Sequence, residues 1–164
     1  MTKVSNKANK SIKKEAVFKR LSENRYAKFQ YEISETIEAG IELLGTEVKS
    51  IRSGKANLRD GYCSFRDGEI LLLNVHISPH KNVGSFFNHD PLRNRKLLLH
   101  KKEIAKLKSN TEKKGLTIIP LSIYLKGSWI KLTIGIGKGK KLHDKRESAK
   151  QKDIKREMKI ALKR

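Results

Sequence analysis

The sequence predicts a mainly β fold with flanking helices, a small closed antiparallel barrel that carries a basic C-terminal tail. Three observations predict it. Two turn sequences each sit between β-rich runs, a helical segment falls before the second of these hairpins, and positive charge gathers at the chain ends.

The first 20 residues are polar and rich in Lys and Asn, which predicts an arm that is disordered when unbound. From Phe29 onward, Phe29, Tyr31 and Ile33 alternate with Gln30, Glu32 and Ser34, the period of a half-buried strand. Gly40 and Gly45 interrupt this region, and Thr46–Arg52 predicts a short helix closed by Gly54. Tyr62–Phe65 and Glu69–Val75 flank Asp67-Gly68, a dipeptide suited to a type I′ turn and hence to a β-hairpin. Asp90-Pro91 then punctuates the chain. Beyond it, Leu97, Leu98, Ile104 and Leu107 form a helical apolar stripe, in one piece or two, which Gly115 stops. Leu116–Leu125 and Trp129–Ile136 are long β-rich runs joined by Lys126-Gly127-Ser128, a second hairpin. Five or so short antiparallel strands with a helix before the last pair suit the oligonucleotide-binding type of barrel. The expected organisation is a basic arm over 1–20, a barrel domain over 21–137 and a basic tail over 138–164.

The chain of 164 residues holds 38 Lys/Arg against 17 Asp/Glu, a net charge of +21. So large an excess repels itself unless an anionic partner neutralises it, which points to a polyanion. Nucleic acid suits it better than a membrane, because the longest apolar run, Ile70–Leu73, falls far short of the roughly 20 residues a bilayer span needs. The basic N-terminus lacks the apolar stretch of a secretory signal, and a single cysteine, Cys63, suits a reducing cytoplasm. Residues 1–28 carry nine Lys/Arg and two acids; residues 138–164 carry twelve and four. The middle is nearly ordinary by comparison, a foldable domain with basic arms at both ends.

The tail has a pattern of its own. After Gly139 there is no Gly or Pro, and Ile154, Met158, Ala161 and Leu162 fall at the spacing of one narrow apolar helical stripe. Asp144 and Glu147 match a capping box. With so little apolar surface, the segment is expected to be disordered alone and helical against a polyanion; the alternative is an ordinary helix packed on the barrel.

Catalytic constellations fail one by one. The run Gly135-Ile136-Gly137-Lys138-Gly139-Lys140-Lys141 lacks the glycine and the Ser/Thr of a phosphate loop and the third glycine of a dinucleotide fingerprint. It reads as a strand end and flexible exit with lysines free to reach phosphates. His76, His80, His89, His100 and His143 are scattered without metal-ligand spacing, so no metal or cofactor is expected. Cys63 lies on a hydrophobic strand, the place of a core residue. Glu32, Glu35, Glu38, Glu42 and Glu47 cluster in sequence, but strand alternation sends them to different faces, as solvated groups or partners of basic residues. No enzyme is expected.

The runs Glu38-Ala39-Gly40-Ile41, Gly45 through Arg52 (GTEVKSIR), Gly54 through Leu58 (GKANL), Asp90-Pro91, Arg93 through Leu99 (RNRKLLL), Gly139-Lys140-Lys141 and Asp144 through Glu147 follow one another in order. In that order and spacing the chain resembles the SsrA-binding (small protein B) family of bacterial trans-translation, from about Asn24 to the tail. The resemblance implies an oligonucleotide-binding barrel that catalyses nothing. It implies binding to the tRNA-like domain of transfer-messenger RNA and delivery to stalled ribosomes. The tail would enter the vacant messenger channel beside the small-subunit decoding region and fold there. A monomer acting in the cytoplasm is expected. The alternative on charge alone is a small ribosomal or ribosome-assembly protein bound to ribosomal RNA.

Site residues follow from both sources. Asn24, Glu38 and Leu98 match family positions implicated in RNA binding, and Arg25 stands where the family has a basic residue. Asn57 belongs to the matching Gly54–Leu58 run. A carboxylate such as Glu38 accepts from base amino groups or 2′-hydroxyls, or orients a neighbouring cation; alternatively it is a surface strand residue. Leu98 offers apolar contact to a base or ribose, or else is helix core. Lys49, Arg52, Lys55, Arg93, Arg95, Lys96 and Lys131 are phosphate-contact candidates by charge. In the tail, Lys138, Lys140, Lys141, Asp144, Lys145, Arg146, Lys150, Lys152, Lys155 and Arg156 are expected to meet the ribosome. Phe29 departs from the family, whose members often carry His there near the decoding centre; a phenyl ring could still stack on a base.

Overall fold

The structure, a computed structural model, describes residues 19–81, 83–141, 144, 154, 157, 158, 160 and 161. Most of the expected N-terminal arm, and Lys145, Arg146, Lys150, Lys152, Lys155 and Arg156 of the tail, lie outside the described residues.

The elements run in the order β1 (Lys19–Glu23), α1 (Ala27–Gln30), β2 (Tyr31–Ile41), α2 (Gly45–Arg52), β3 (Ala56–Asn57), β4 (Tyr62–Arg66), β5 (Glu69–Leu73), β6 (His76–Ile77), a 3-10 turn (Ser85–Phe87), β7 (Arg95–Leu98), α3 (Lys101–Lys114), β8 (Thr117–Lys126) and β9 (Trp129–Gly139). The fold is mainly β. One large antiparallel sheet has the order β1-β8-β4-β5-β7-β2-β9, with β8 also paired to β9 and a small β3–β6 pair beside it.

Both expected hairpins form. Asp67 (φ 52°) and Gly68 (φ 79°) join β4 to β5 with positive φ at both central positions, as a type I′ turn requires. At the other hairpin Lys126 faces Trp129 across a two-residue loop. Helix α2 starts where the Glu47 carboxylate takes the Leu44 N–H at 2.8 Å, and α3 where Glu103 takes that of His100 at 2.8 Å. Inward side chains of the large sheet, among them Ala39, Ile70, Leu72, Leu97, Ile118, Ile123, Leu132 and Ile134, make one core with Ile51 of α2 and Leu107 of α3. Cys63 belongs to it, and burial pushes its thiol up.

Four local expectations need correction. Phe29 and Gln30 are helical, not the start of a strand. Their N–H groups both donate to Tyr26 O (3.1 Å each), and Ala27 N–H donates to Asn24 Oδ1 (3.0 Å), so a local turn delays the alternation to Tyr31. Strand β2 then runs through Gly40 rather than stopping there. Leu97 and Leu98 belong to a strand, because β5 and β2 offer β7 hydrogen-bonding edges on both sides; only Ile104 and Leu107 are helical. The glycine run is the expected strand end, but the strand holds through its last glycine instead of loosening within the run. A Cβ on Gly137 would stand 2.5 Å from Glu32 O, so glycine lets β9 lie against β2 as far as Gly139.

The tail leaves from this edge. Lys140 N–H donates to Gln30 O at 2.8 Å, and Asp144 is helical with its carboxylate accepting the Lys141 N–H at 3.2 Å. Glu147, the other half of the expected capping box, lies outside the described residues.

Candidate nucleic-acid interface

Strand alternation sorts the basic residues by face. On β7, Arg95 and Leu97 point inward while Lys96 and Leu98 point outward. On β9, Ile130, Leu132 and Ile134 feed the core, which leaves Trp129, Lys131 and Thr133 on the outside. Cross-strand partners then line up: Leu98 with Gly40, Gly40 with Lys131, Lys131 with Tyr124, and Tyr124 with Arg20. This outward row crosses five strands, roughly 19 Å at the usual strand spacing. The neighbouring row holds Glu38 opposite Thr133.

The two rows open into a cleft of about 480 Å³ lined by Glu38, Gly40, Leu98, His100, Glu103 and Lys131. Three residues singled out in the sequence, Glu38, Leu98 and Lys131, thus meet in one place. Leu98 is 52% exposed, which excludes it from the core. Gly40 sets the depth, since a Cβ there would lie 3.0 Å from that of Leu98. Glu38 is held from the side: Tyr124 Oη donates to it at 2.5 Å and Lys126 Nζ at 2.9 Å. These bonds, the phenol's first, keep the Glu38 carboxyl below its ordinary range, so it is ionised. Burial and Glu38 together push the Tyr124 phenol up to about 12, so it stays a donor.

A second cleft of about 570 Å³ gathers Asn24, Arg25, Tyr26, Phe29, Asn57 and Arg59. The Tyr26 and Phe29 rings lie 5.5 Å apart, and the Arg59 guanidinium sits 4.9 Å from the Tyr26 centroid, leaving an aromatic and cationic shelf. Asn24 is at this site but turned away from it. Its amide donates to Leu58 O (2.9 Å) and Pro120 O (3.2 Å) and its Oδ1 serves Ala27, so it builds the wall rather than the surface. Arg25 is exposed beside it.

The other basic candidates divide. Lys49 and Arg52 are exposed on α2, Lys55 follows half-buried, and Lys96 is ion-paired with Glu69. Arg95 is a correction: it is fully buried, with Nε on Glu47 (2.8 Å) and its other nitrogens on Val75 O (2.7 Å) and Pro91 O (3.1 Å). Its inward register on β7 withdraws it from any phosphate. Arg93 also pairs with Glu47, at 2.7 Å, and keeps only part of its side chain exposed. Lys138 and Lys141 are exposed, whereas the Lys140 ammonium reaches Lys28 O at 3.2 Å.

The sequence model of the SmpB protein family matches residues 21–164. The chain belongs to the SmpB family. It is 92% and 84% identical to SsrA-binding proteins from two strains of Prochlorococcus marinus, over all of this chain and 99% and 100% of those. A more distant SsrA-binding protein of the same species is 63% identical over the whole chain. A solved chain from a study of tmRNA–SmpB at the centre of the bacterial ribosome is 49% identical, with a TM-score of 0.62 over 74% of this chain and 85% of that one.

Within this SmpB-family chain, sequence patterns missed Tyr124, Lys126, His100, Tyr26 and Arg59. The Tyr26–Phe29 spacing was visible, an aromatic pair at one helical turn. The partnership of Tyr124 with Glu38 was not, because it depends on β9 lying between β2 and β8.

Proposed function

We propose that this protein binds the tRNA-like domain of transfer-messenger RNA on the outward face of β7, β2, β9 and β8 and brings it to stalled ribosomes for trans-translation. The observation that carries it is the row in which Lys131, Leu98 and the oriented Glu38 meet. Such a face offers phosphate contact, apolar contact and a base- or ribose-directed acceptor side by side, which a folded RNA with exposed bases requires. Arg25 and Asn57, with the Tyr26–Phe29 shelf, form a second contact area. Lys49, Arg52, Lys55, Arg93 and Lys96 supply charge around both. Arg95 and Asn24 act by holding β7 and the β1–α1 turn in place.

The sheet reads best as a closed barrel of the oligonucleotide-binding type. Its support is the cycle of pairings from β8 through β4, β5, β7, β2 and β9 back to β8. Binding is by a cytoplasmic monomer without catalysis. The tail, from Lys138 through Lys140, Lys141, Asp144, Lys145 and Arg146 to Lys150, Lys152, Lys155 and Arg156, probes the empty messenger channel. A rod of cations that folds on contact suits a path lined with phosphates.

Deleting residues 144–164 tests the division of labour. RNA affinity should stay within about threefold while peptide tagging in a reconstituted translation reaction is abolished; a loss of RNA affinity of about tenfold or more would overturn it. Affinity should also fall steeply with added salt, and a flat dependence would remove the phosphate contacts from the account.

A further inference from the structure

Trp129 is the only tryptophan of the chain, and it is 75% exposed at the tip of the β8–β9 hairpin. An indole in that position gains nothing from the core: the inward neighbours Ile130 and Leu132 fill it, and Trp129 stands on the opposite face. It lies one outward position beyond Lys131 on the same strand and directly across from Lys126. On its other flank, the Arg52 side chain of α2 donates to Ser128 O at 3.3 Å, which ties a second cation to the hairpin tip. Lys49 is exposed on the same last turn of α2. The result is a flat, water-exposed ring framed by cations and continuous with the row that runs from Leu98 to Arg20.

We propose that Trp129 is a stacking platform for one unpaired nucleobase of the bound RNA, with Arg52 holding a flanking phosphate. This rests on the reading of the outward face as the RNA interface and extends that face to the hairpin tip. Every base has a π-face, so the platform selects an unstacked nucleotide rather than a sequence. A fully paired helix, whose bases are covered, offers it nothing. Continuity with the Glu38–Leu98–Lys131 cleft and the surrounding lysines favour RNA over a protein partner, because lysine is depleted in protein–protein interfaces and attracted by phosphates.

The single tryptophan makes the test direct. A dye-labelled transcript of the tRNA-like domain of transfer-messenger RNA reports affinity by anisotropy, and Trp129 emission is followed in the same titration. Emission should change and saturate with the anisotropy. Trp129→Ala should bind about tenfold more weakly, and Trp129→Phe within about threefold of the parent. Because stacking releases no counterions, Trp129→Ala should leave the salt slope unchanged, whereas Arg52→Ala should lower it. Emission unchanged at saturation, or Trp129→Ala within twofold of the parent, overturns the platform while leaving the interface intact. Loss of emission response to RNA but response to salt-washed ribosomes would assign the ring to another partner and likewise overturn it. Failure of every protein, the parent included, to bind the transcript overturns the interface and the platform with it.

Discussion

Glu47 and Glu38 are both glutamates beside cations, nine positions apart in sequence, and the fold gives them opposite tasks. Glu47 is fully buried at the start of α2, where one oxygen takes Arg95 Nε and the other takes Arg93 Nη2 and the Leu44 N–H. Glu38 stands on the outward face of β2, with Tyr124 and Lys126 at its sides and water or a ligand in front. Burial alone would raise the Glu47 carboxyl; the hydrogen bonds from Arg93 and Leu44 and the charge of Arg95 outweigh it and hold the group below its ordinary range. What separates the two is access. The inner carboxylate cannot change partners without stranding a buried guanidinium, whereas the outer one can exchange water for RNA at small cost.

The largest effect should come from breaking the inner cluster. Glu47→Ala leaves Arg95 buried without its carboxylate, and removing one partner of such a pair costs about 3–5 kcal/mol. Urea unfolding at neutral pH would measure it. Acid probes the same bonds without mutation. Because the folded-state pKa of Glu47 is depressed, its contribution is complete above the ordinary carboxylate value of 4.5 and is lost as pH falls through the lower folded value. The parent should therefore weaken in urea below about pH 4.5, and Glu47→Ala should show a smaller acid loss. Equal acid losses in both proteins would mean that other carboxylates dominate.

The same contrast explains what could be read from the chain. The hairpin turns and the glycine after α3 are local signals, and each stands where the sequence places it. The strand β7 reads as helix in the sequence because Leu97 and Leu98 fall in helical register with Ile104 and Leu107 and are too few to fix a period of their own; its two neighbouring strands decide it. That one change of element also decides the site. As helix, Leu98 could have been core and Arg95 surface; as strand, they exchange faces. Glu38, Leu98 and Lys131 were identified separately, but their meeting depends on registers between β2, β7 and β9 that no local pattern encodes.

On the outer face, Glu38→Ala should change stability by under about 1 kcal/mol, since its ion pair with Lys126 is water-exposed on both sides. RNA affinity should nonetheless fall by about tenfold or more, the usual cost of losing a hydrogen bond to a charged group. A stability loss comparable to that of Glu47→Ala would dissolve the distinction between the two glutamates.

The finest test concerns how Glu38 is held. Tyr124→Phe keeps the ring against its neighbours and removes only the hydroxyl that donates to Glu38. The carboxylate should then titrate closer to 4.5, because the largest influence lowering its pKa is that hydroxyl. Carbon-detected NMR of the glutamate carboxyls reads this shift directly. Freed from the phenol, the side chain must be ordered again each time RNA binds, at about 0.5–1.5 kcal/mol, or roughly two- to tenfold in affinity. The loss should be smaller than that of Glu38→Ala, because the acceptor is still present and only its orientation is gone. A Tyr124→Phe protein that binds RNA like the parent while its Glu38 titration has moved would show that the carboxylate needs no help from β8, and that Lys126 alone suffices to aim it.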